Sequence, residues 1–491
     1  MIEKLKTYSF YVFLLPLFFV LHGFAENIHI IRFDEVALLA AYYVAVAGLI
    51  YLLLRIILKN NQKAALLTTL TLAFYFFFGA IFDFLKAYSP VAFIYKYSVL
   101  FPVFIVLLFC TGFLLKRTTR SFPRFTLFLN ALLLIYLAVD IATVILTSLR
   151  PEPANSYNII GKIPDTCAKP DIYLLVFDEY ASSLSLQQRF NFHNDLDSTL
   201  ISRGFKVMPQ SHSNYHATPF SMASMLNLKY LVVSNVRYRE DEYAGAIKQV
   251  SENISTRFLE DNGYEIVNHS VFDLGKHLSR INQSFLPLGT QFITANTFSG
   301  RIIKDFRWYI AENKFLGPLT GSKSLKTDPD FSLQVIENVK TTAATNSSRP
   351  RFIYGHIYMP HEPFVYDRYG NERTESTMFK NSPGFTPAVY LDYLQYTNEH
   401  IKKIVDTIQR CSGNAAVIIV MGDHGFRTGN NHKDFFPNFN AVYLPHHNYE
   451  QFYDSMTNVN EFRALFNTLF HSNLPMQKDS SIFMRSINFY R

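Results

Sequence analysis

Long apolar stretches, all within the first 150 residues, constrain this chain more than any other feature. A bilayer's hydrocarbon core is about 30 Å thick and takes about 20 apolar residues in a helix. Five stretches qualify: 8–25, 36–58, 65–85, 92–115 and 125–149. The first lacks a clear small-residue cleavage site and four more follow it, so it reads as a span and not as a removable signal. Beyond Arg150 the chain carries charges, turn residues and mixed periodicities, as a water-soluble domain does. The mean hydropathy of +0.07 therefore averages two unlike parts. At 491 residues the chain is too long for one ordinary domain. The expected division is 1–150 as a transmembrane domain of five helices, 151–170 as a linker and 171–491 as an exported catalytic domain.

Loop charges set the expected orientation. Lys4 and Lys6 precede the first stretch; Arg55, Lys59 and Lys63 flank the second loop; Lys116, Arg117, Arg120 and Arg124 fill the fourth. The alternate loops, 26–35 and 86–90, are poor in positive charge. By the positive-inside rule the N-terminus is cytoplasmic, and five spans deliver the rest outside the inner (plasma) membrane, to the periplasm or cell surface. The net charge of +7 is accounted for largely by these loops, which gives no reason to expect nucleic acid. Asn130 and Asp140 lie inside the fifth stretch, where polar groups are costly. The plainer reading is hydrogen bonding within the bundle; the sharper one is a contact with a lipid headgroup. Pro151, Pro153, Pro164 and Pro170 mark the linker. Of the three cysteines, Cys167 and Cys411 can pair in an exported domain or remain two free thiols, and no metal-binding spacing joins them.

In the second part, 171–177 (DIYLLVF) and 415–421 (AAVIIVM) read as buried strands, with weaker ones at 352–358 and 440–444. Helical patterns cover 184–202, 240–259, 390–410 and 460–470. Buried strands alternating with amphipathic helices indicate an α/β domain with a largely parallel sheet. In such sheets sites form at the carboxyl ends of strands.

The first strand ends in Asp178-Glu179, and the second in Gly422-Asp423-His424-Gly425. Carboxylate oxygen with imidazole nitrogen suits Zn²⁺ or a harder divalent ion. Thr218-Pro219 opens a helix, with Thr218 as its expected N-cap. A hydroxyl there, next to a divalent cation, becomes a nucleophile. His356 and His361 flank a strand end, five residues apart, placed to bind an anion or protonate a leaving group. Arg427, His432 and Lys433 follow the DHG turn as an exposed basic loop or a phosphate-binding rim.

Acidic strand end, threonine helix start, paired histidines and DHG, in that order, resemble the alkaline phosphatase superfamily. The closest resemblance is to its membrane-bound, sulfatase-like branch of phosphoethanolamine transferases and lipoteichoic acid synthases. It covers Pro170 to about Pro445. The fold it implies is a transmembrane bundle followed by an α/β sulfatase-like domain. The metal ligands it implies are Asp178, Thr218, Asp423 and His424, with Thr218 as nucleophile and His356, His361, His432 and Glu179 around the substrate. The cofactor it implies is one or two divalent ions, Zn²⁺ first, then Mn²⁺ or Mg²⁺. The C/S-x-P-x-R motif of sulfatases proper is missing, and Thr218 cannot become formylglycine, so sulfate-ester hydrolysis is not expected. The expected reaction moves a phospholipid headgroup phosphate, by way of a phosphothreonine, to a cell-envelope glycan or glycolipid. The alternatives are a phosphodiesterase or phosphatase of the same fold, or a non-catalytic membrane-tethered relative. Pocket walls are expected from 282–307 and 367–387.

Overall fold

A computed structural model describes residues 2–28, 31–91, 93–149, 161–231, 237–238, 240–280, 289–303 and 327–486. The chain divides into two compact units. One comprises Met1–Ala154 with Pro287–Ser324, and the other Asn155–Leu286 with Leu325–Arg491. The sequence division at 150 and 170 does not anticipate that a later segment groups with the helices.

Among the described residues, four helices of the first unit are long and apolar enough to cross a membrane: Phe33–Leu58, Asn61–Tyr88, Tyr97–Arg117 and Pro123–Leu149. The expected first span is the shorter helix Tyr11–Glu26, 16 residues or about 24 Å at 1.5 Å per residue. Large apolar side chains face outward from this unit, with Leu38, Ile56, Phe109 and Leu149 each more than 70% exposed. Such a belt is costly in water and at home in lipid, so this is a membrane protein. Asn130 follows the plainer reading. Its Nδ2 donates to the carbonyls of Leu5 (2.8 Å) and Tyr8 (2.7 Å), and its Oδ1 accepts from Tyr11 N (2.8 Å). It thereby satisfies backbone groups where the helix Ile2–Thr7 gives way to Tyr11–Glu26.

Residues 289–303 pack into the same unit. Gly79 N donates to Asn296 O (2.8 Å), Tyr75 and Ser299 share a 2.6 Å hydroxyl bond, and Arg301 pairs with Asp83. Phe298 lies against Phe78 and Phe101, with ring centroids 4.9 and 5.3 Å away. A side chain on residue 79 would run into Asn296 O, so a glycine is required there.

In the second unit the strands are β1 (Ile172–Phe177), β2 (Lys206–Val207), β3 (Arg237–Tyr238), β4 (Glu265–His269), β5 (Arg351–Ile357), β6 (Val417–Met421), β7 (Asn440–Tyr443) and β8 (Arg485–Ser486). Six form one sheet in the order β2-β7-β6-β1-β5-β4. The pairs β4–β5, β5–β1 and β1–β6 are parallel; β6–β7 and β7–β2 are antiparallel. Every residue of β1, β5 and β6 is buried, as helix cover on both faces demands. The helix expected at 184–202 is two, Ser183–Phe190 and Leu196–Ser202, broken where Asn191 turns left-handed. The one at 240–259 is likewise two, Glu240–Ser251 and Ile254–Asp261, restarted by the Asn253 cap on Thr256 N. The helix expected at 390–410 runs over Pro387–Ser412, and the one at 460–470 over Glu461–Phe470. Cys167 and Cys411 are free thiols.

Register carries the chain's chemistry to one edge. Val176 pairs with His356 on one side and with Met421 on the other. The parallel ends of β1, β5 and β6 therefore release Asp178, His356 and the DHG turn side by side.

Candidate metal and phosphoryl-transfer site

Asp178 and Glu179 follow β1 directly, and Glu179 takes a left-handed φ of 62°. That conformation is costly for a residue with a side chain and recurs at functional sites. It sends the two neighbouring carboxylates to different partners. At the end of β6, a Cβ on residue 422 would strike the Tyr180 carbonyl, and one on residue 425 the Pro437 carbonyl. Close backbone approach is thus what the glycines of the DHG turn provide.

Asp178, Asp423 and His424 are buried, with one ligand atom each, all within 4.8 Å of one another. His424 Nε2 lies 3.2 Å from Asp423 Oδ2 and 3.8 Å from Asp178 Oδ1. Its Nδ1 is bound to the Gly425 carbonyl at 3.0 Å, which turns Nε2 inward, as second-shell bonds do for metal-ligating histidines. Asp423 Oδ1 accepts from the backbone amides of Glu179 and His424, both at 2.9 Å, and its Oδ2 is left without a partner. Asp178 Oδ1 and His356 Nε2 are also buried without hydrogen bonds. Two orphaned carboxylate oxygens in one buried spot are costly unless a cation joins them.

Thr218 completes the ring. It is the first residue of the helix Thr218–Leu226, whose N-cap is Ala217, not Thr218 as expected. The hydroxyl is therefore not spent on capping. It lies 3.4 Å from Asp178 Oδ2 and 3.5 Å from His424 Nε2. Four ligands about 2.0–2.2 Å from a tetrahedral ion stand about 3.3–3.6 Å apart. The printed distances of 3.2–3.8 Å lie near that spacing, and the three buried ligand atoms stand within 4.8 Å of one another, so the donor set fits a divalent ion. Ser221 Oγ and Asn458 Nδ2 both donate to the Asp423 carbonyl, at 2.6 and 3.1 Å, and fix the helix against the turn.

Burial pushes the carboxyls of Asp178 and Asp423 up to about 7 in the absence of an ion. Two carboxylates sharing one dry site cannot both ionise freely. Burial likewise pushes His356 down to about 4 and His361 to about 3, so both rings are neutral near pH 7.

Glu179, expected beside the substrate, is instead saturated by cations. Lys380 Nζ reaches both its oxygens at 2.6 and 2.7 Å, and Arg427 meets Oε1 through its amide (2.8 Å) and Nε (3.3 Å). Burial alone would raise this carboxyl; Lys380 and Arg427 hold it well below the usual range. Its part is to position two cations. His361 belongs to the same cage: its Nε2 accepts from Arg427 Nη2 at 2.8 Å and its Nδ1 donates to the Glu362 carbonyl at 2.6 Å. His356 sits apart from it, with Nδ1 on the Tyr354 hydroxyl (2.9 Å) and Nε2 3.5 Å from Asp178 Oδ2. His432 stands on an exposed 3-10 turn, stacked on Phe483 at 4.0 Å, and Phe483 in turn stacks on the half-buried His216.

Lys380 was not singled out in the sequence, although 367–387 was expected to line the pocket; its register against Glu179 is set only by tertiary packing. The other expected wall, 282–307, is described at 289–303, and those residues lie among the apolar helices.

The Sulfatase family pattern matches residues 207–465, just over half of the chain. No curated protein sequence matches it. Among solved structures it is similar to the zinc complex of the C-terminal periplasmic domain of EptC from Escherichia coli, with 10% identity, 67% of this chain and 90% of that one covered, and a TM-score of 0.40. The periplasmic domain of phosphoethanolamine transferase EptC from Campylobacter jejuni gives 12%, 62%, 90% and 0.36. A 2-O glycosaminoglycan (GAG) sulfatase gives 11%, 64%, 73% and 0.37.

Proposed function

The chain belongs to the sulfatase family, a sulfatase-like enzyme of the alkaline phosphatase superfamily, and from that premise we propose that it is a membrane-bound phosphotransferase. It takes the headgroup phosphate of a phospholipid onto Thr218 and passes it to a glycan or glycolipid of the cell envelope. One observation supports this above the rest. The Thr218 hydroxyl is free of capping duty and faces two carboxylates and an imidazole at metal-ligand spacing.

Asp178, Asp423, His424 and Thr218 would hold the ion, Zn²⁺ by the mixed oxygen and nitrogen donors. When bound, it would lower the pKa of the Thr218 hydroxyl and offset charge on the phosphoryl oxygens. The chain's own groups do the rest. Thr218 Oγ1 forms the new P–O bond as the P–O bond to glycerol breaks, and Asp178 is the nearest acceptor for its proton. Lys380 and Arg427, preorganised by Glu179, supply positive charge for an anionic group. The leaving oxygen needs a proton, and of the two neutral histidines His356 has its Nε2 unengaged, whereas His361 Nε2 is held by Arg427. A bound phosphodiester favours protonation of His356. His361 then acts by orienting Arg427.

The loop charges support a cytoplasmic N-terminus with the catalytic unit outside. The short helix Tyr11–Glu26 runs parallel to Pro123–Leu149, because Tyr11 meets Asn130 and His22 meets Asp140. Spans one and five of a five-span bundle run in that way.

Intact-protein mass spectrometry after incubation with phospholipid tests the reading. A mass increase lost in Thr218→Ala, its size naming the group, is expected; an unmodified Thr218 with full turnover would sink it. Free headgroup phosphate with no modified glycan would favour hydrolysis by the same residues.

A further inference from the structure

Arg427 stands on a stretch with no helix or strand of its own. From Gly422 to Asn431 the backbone is irregular, and residues 429–433 are exposed. Segments of that kind are ordinarily mobile. A guanidinium serves an anion best when its direction is fixed beforehand. Glu179 fixes the Arg427 amide and Nε from one side. The backbone carbonyls on either side of Arg427 need a partner of their own.

Arg189 is that partner. It lies on the helix Ser183–Phe190, 237 residues upstream of Phe426, with its side chain 14% exposed. The loop after the DHG turn is closed at its neck, where Gly425 N donates to Phe435 O at 2.8 Å. Beyond the neck, Arg189 Nη1 donates to Phe426 O (3.0 Å) and Asp434 O (3.4 Å), and Nη2 to Thr428 O (3.1 Å). Its Nε faces Asp434 Oδ2 at 3.5 Å. One planar group thus ties the outgoing limb of the loop, 426–428, to the returning limb at 434. Phe426 and Thr428 are the residues directly before and after Arg427. The Phe426 ring is fully buried, stacks on Tyr390 at 3.7 Å and lies 5.9 Å from the Arg189 guanidinium.

The donor count separates positioning from substrate binding. A guanidinium has five N–H groups. In Arg189 three are spent on carbonyls and a fourth faces a carboxylate, so little is left for a ligand. The task also calls for arginine. A lysine ammonium is a compact point donor, without the planar fork that spans both limbs.

We propose that Arg189 is the positioning residue for Arg427, clamping the loop so that the Arg427 guanidinium is already aimed at the substrate's anionic group. This rests on the reading of Arg427 as an anion-binding group of the proposed reaction.

The test uses the full chain in detergent, loaded with metal, with inorganic phosphate as the probe in titration calorimetry and hydrogen exchange read over 426–434. Arg189→Gln and Arg189→Lys should each weaken phosphate about tenfold, the size of one charge-assisted hydrogen bond, and raise exchange in that loop. In an Arg427→Ala background, Arg189→Gln should cost nothing more, because no guanidinium is left to aim. Where Arg189→Gln does not fold, Asp434→Asn, at a partly exposed position, loosens the same clamp and goes through the same cycle, with a loss of about threefold expected. Full phosphate affinity in Arg189→Lys overturns the proposal, since charge alone would then suffice. Losses that add in the double variant overturn it as well, and leave Arg189 a general structural role. Phosphate affinity untouched by Arg427→Ala alone removes the reading of Arg427, and the proposal with it; that failure shows before Arg189 is altered.

Discussion

The two units place histidine and carboxylate together in opposite ways. In the α/β unit, Asp178, Asp423 and His424 are fully buried; two backbone amides hold Asp423 and the Gly425 carbonyl holds His424. In the helical unit, His22 and Glu26 are open at the protein surface, and only Asp140 is fixed. The first arrangement is rigid before anything binds, which suits an ion that demands set distances. In the second, one partner is buried and the other two stay open at the surface. Residue type alone does not separate the two; the scaffold behind each side chain does.

Four measurements break or sharpen that contrast. The largest effect should come from Thr218→Ala, with transfer falling at least about a thousandfold while both units keep their unfolding temperatures. A variant that keeps activity would place the chemistry elsewhere. Next, chelation should lower only the α/β transition in calorimetry, by about 2.7 kcal/mol where free metal stood at about 100 times its Kd. A helical transition that moved equally would mean the units do not melt as separate bodies. Gly79→Val should do the converse. Pushing Asn296 aside should cost the helical unit about 2 kcal/mol, with the α/β transition unmoved.

The smallest effect is expected at Glu461. It opens the helix Glu461–Phe470 and is fully buried, with Oε2 on Asn440 Nδ2 at 2.7 Å and Oε1 unpartnered. Burial pushes its carboxyl up to about 7, above the ordinary 4.5. The folded chain therefore holds this proton more tightly than the unfolded one. The stability this confers is complete below pH 4.5 and is lost as pH rises to about 7. Glu461→Gln cannot ionise, so it should match the native chain at pH 4.5 and exceed it above pH 7, by on the order of 1–2 kcal/mol. Denaturant melts at both pH values check this, and an equal difference at the two would exclude ionisation as the cause.

Much of the α/β unit was legible in the sequence because its central strands are uniform apolar runs. β1 and β6 are unbroken by charge and end in the very carboxylates that matter, so strand and site are read from one segment. The DHG turn carries its glycines openly. Lys380 gave no such signal: it lies in an irregular stretch and reaches Glu179 across 201 residues of chain. β2 and β4 are the two edge strands and carry charged or polar residues, so their existence depends on neighbours more than on their own composition. The stacking of His432 on Phe483 had no sequence signal, because the partner comes from far along the chain. In the helical unit, hydropathy marks the helices but says nothing of residues 289–303, which are only mildly apolar.

Residues 289–303 also impose an order on synthesis. Asp83 and Arg301 are 218 residues apart. At about 5–20 residues per second a ribosome takes roughly 10–40 s to cover that distance. For that time the seat formed by Tyr75, Gly79 and Asp83 exists without its occupant, while the first, smaller part of the α/β unit, Asn155–Leu286, is being made. The bundle is begun first and finished late, and until then a groove with a lone aspartate stands open for whatever assists membrane insertion to shield.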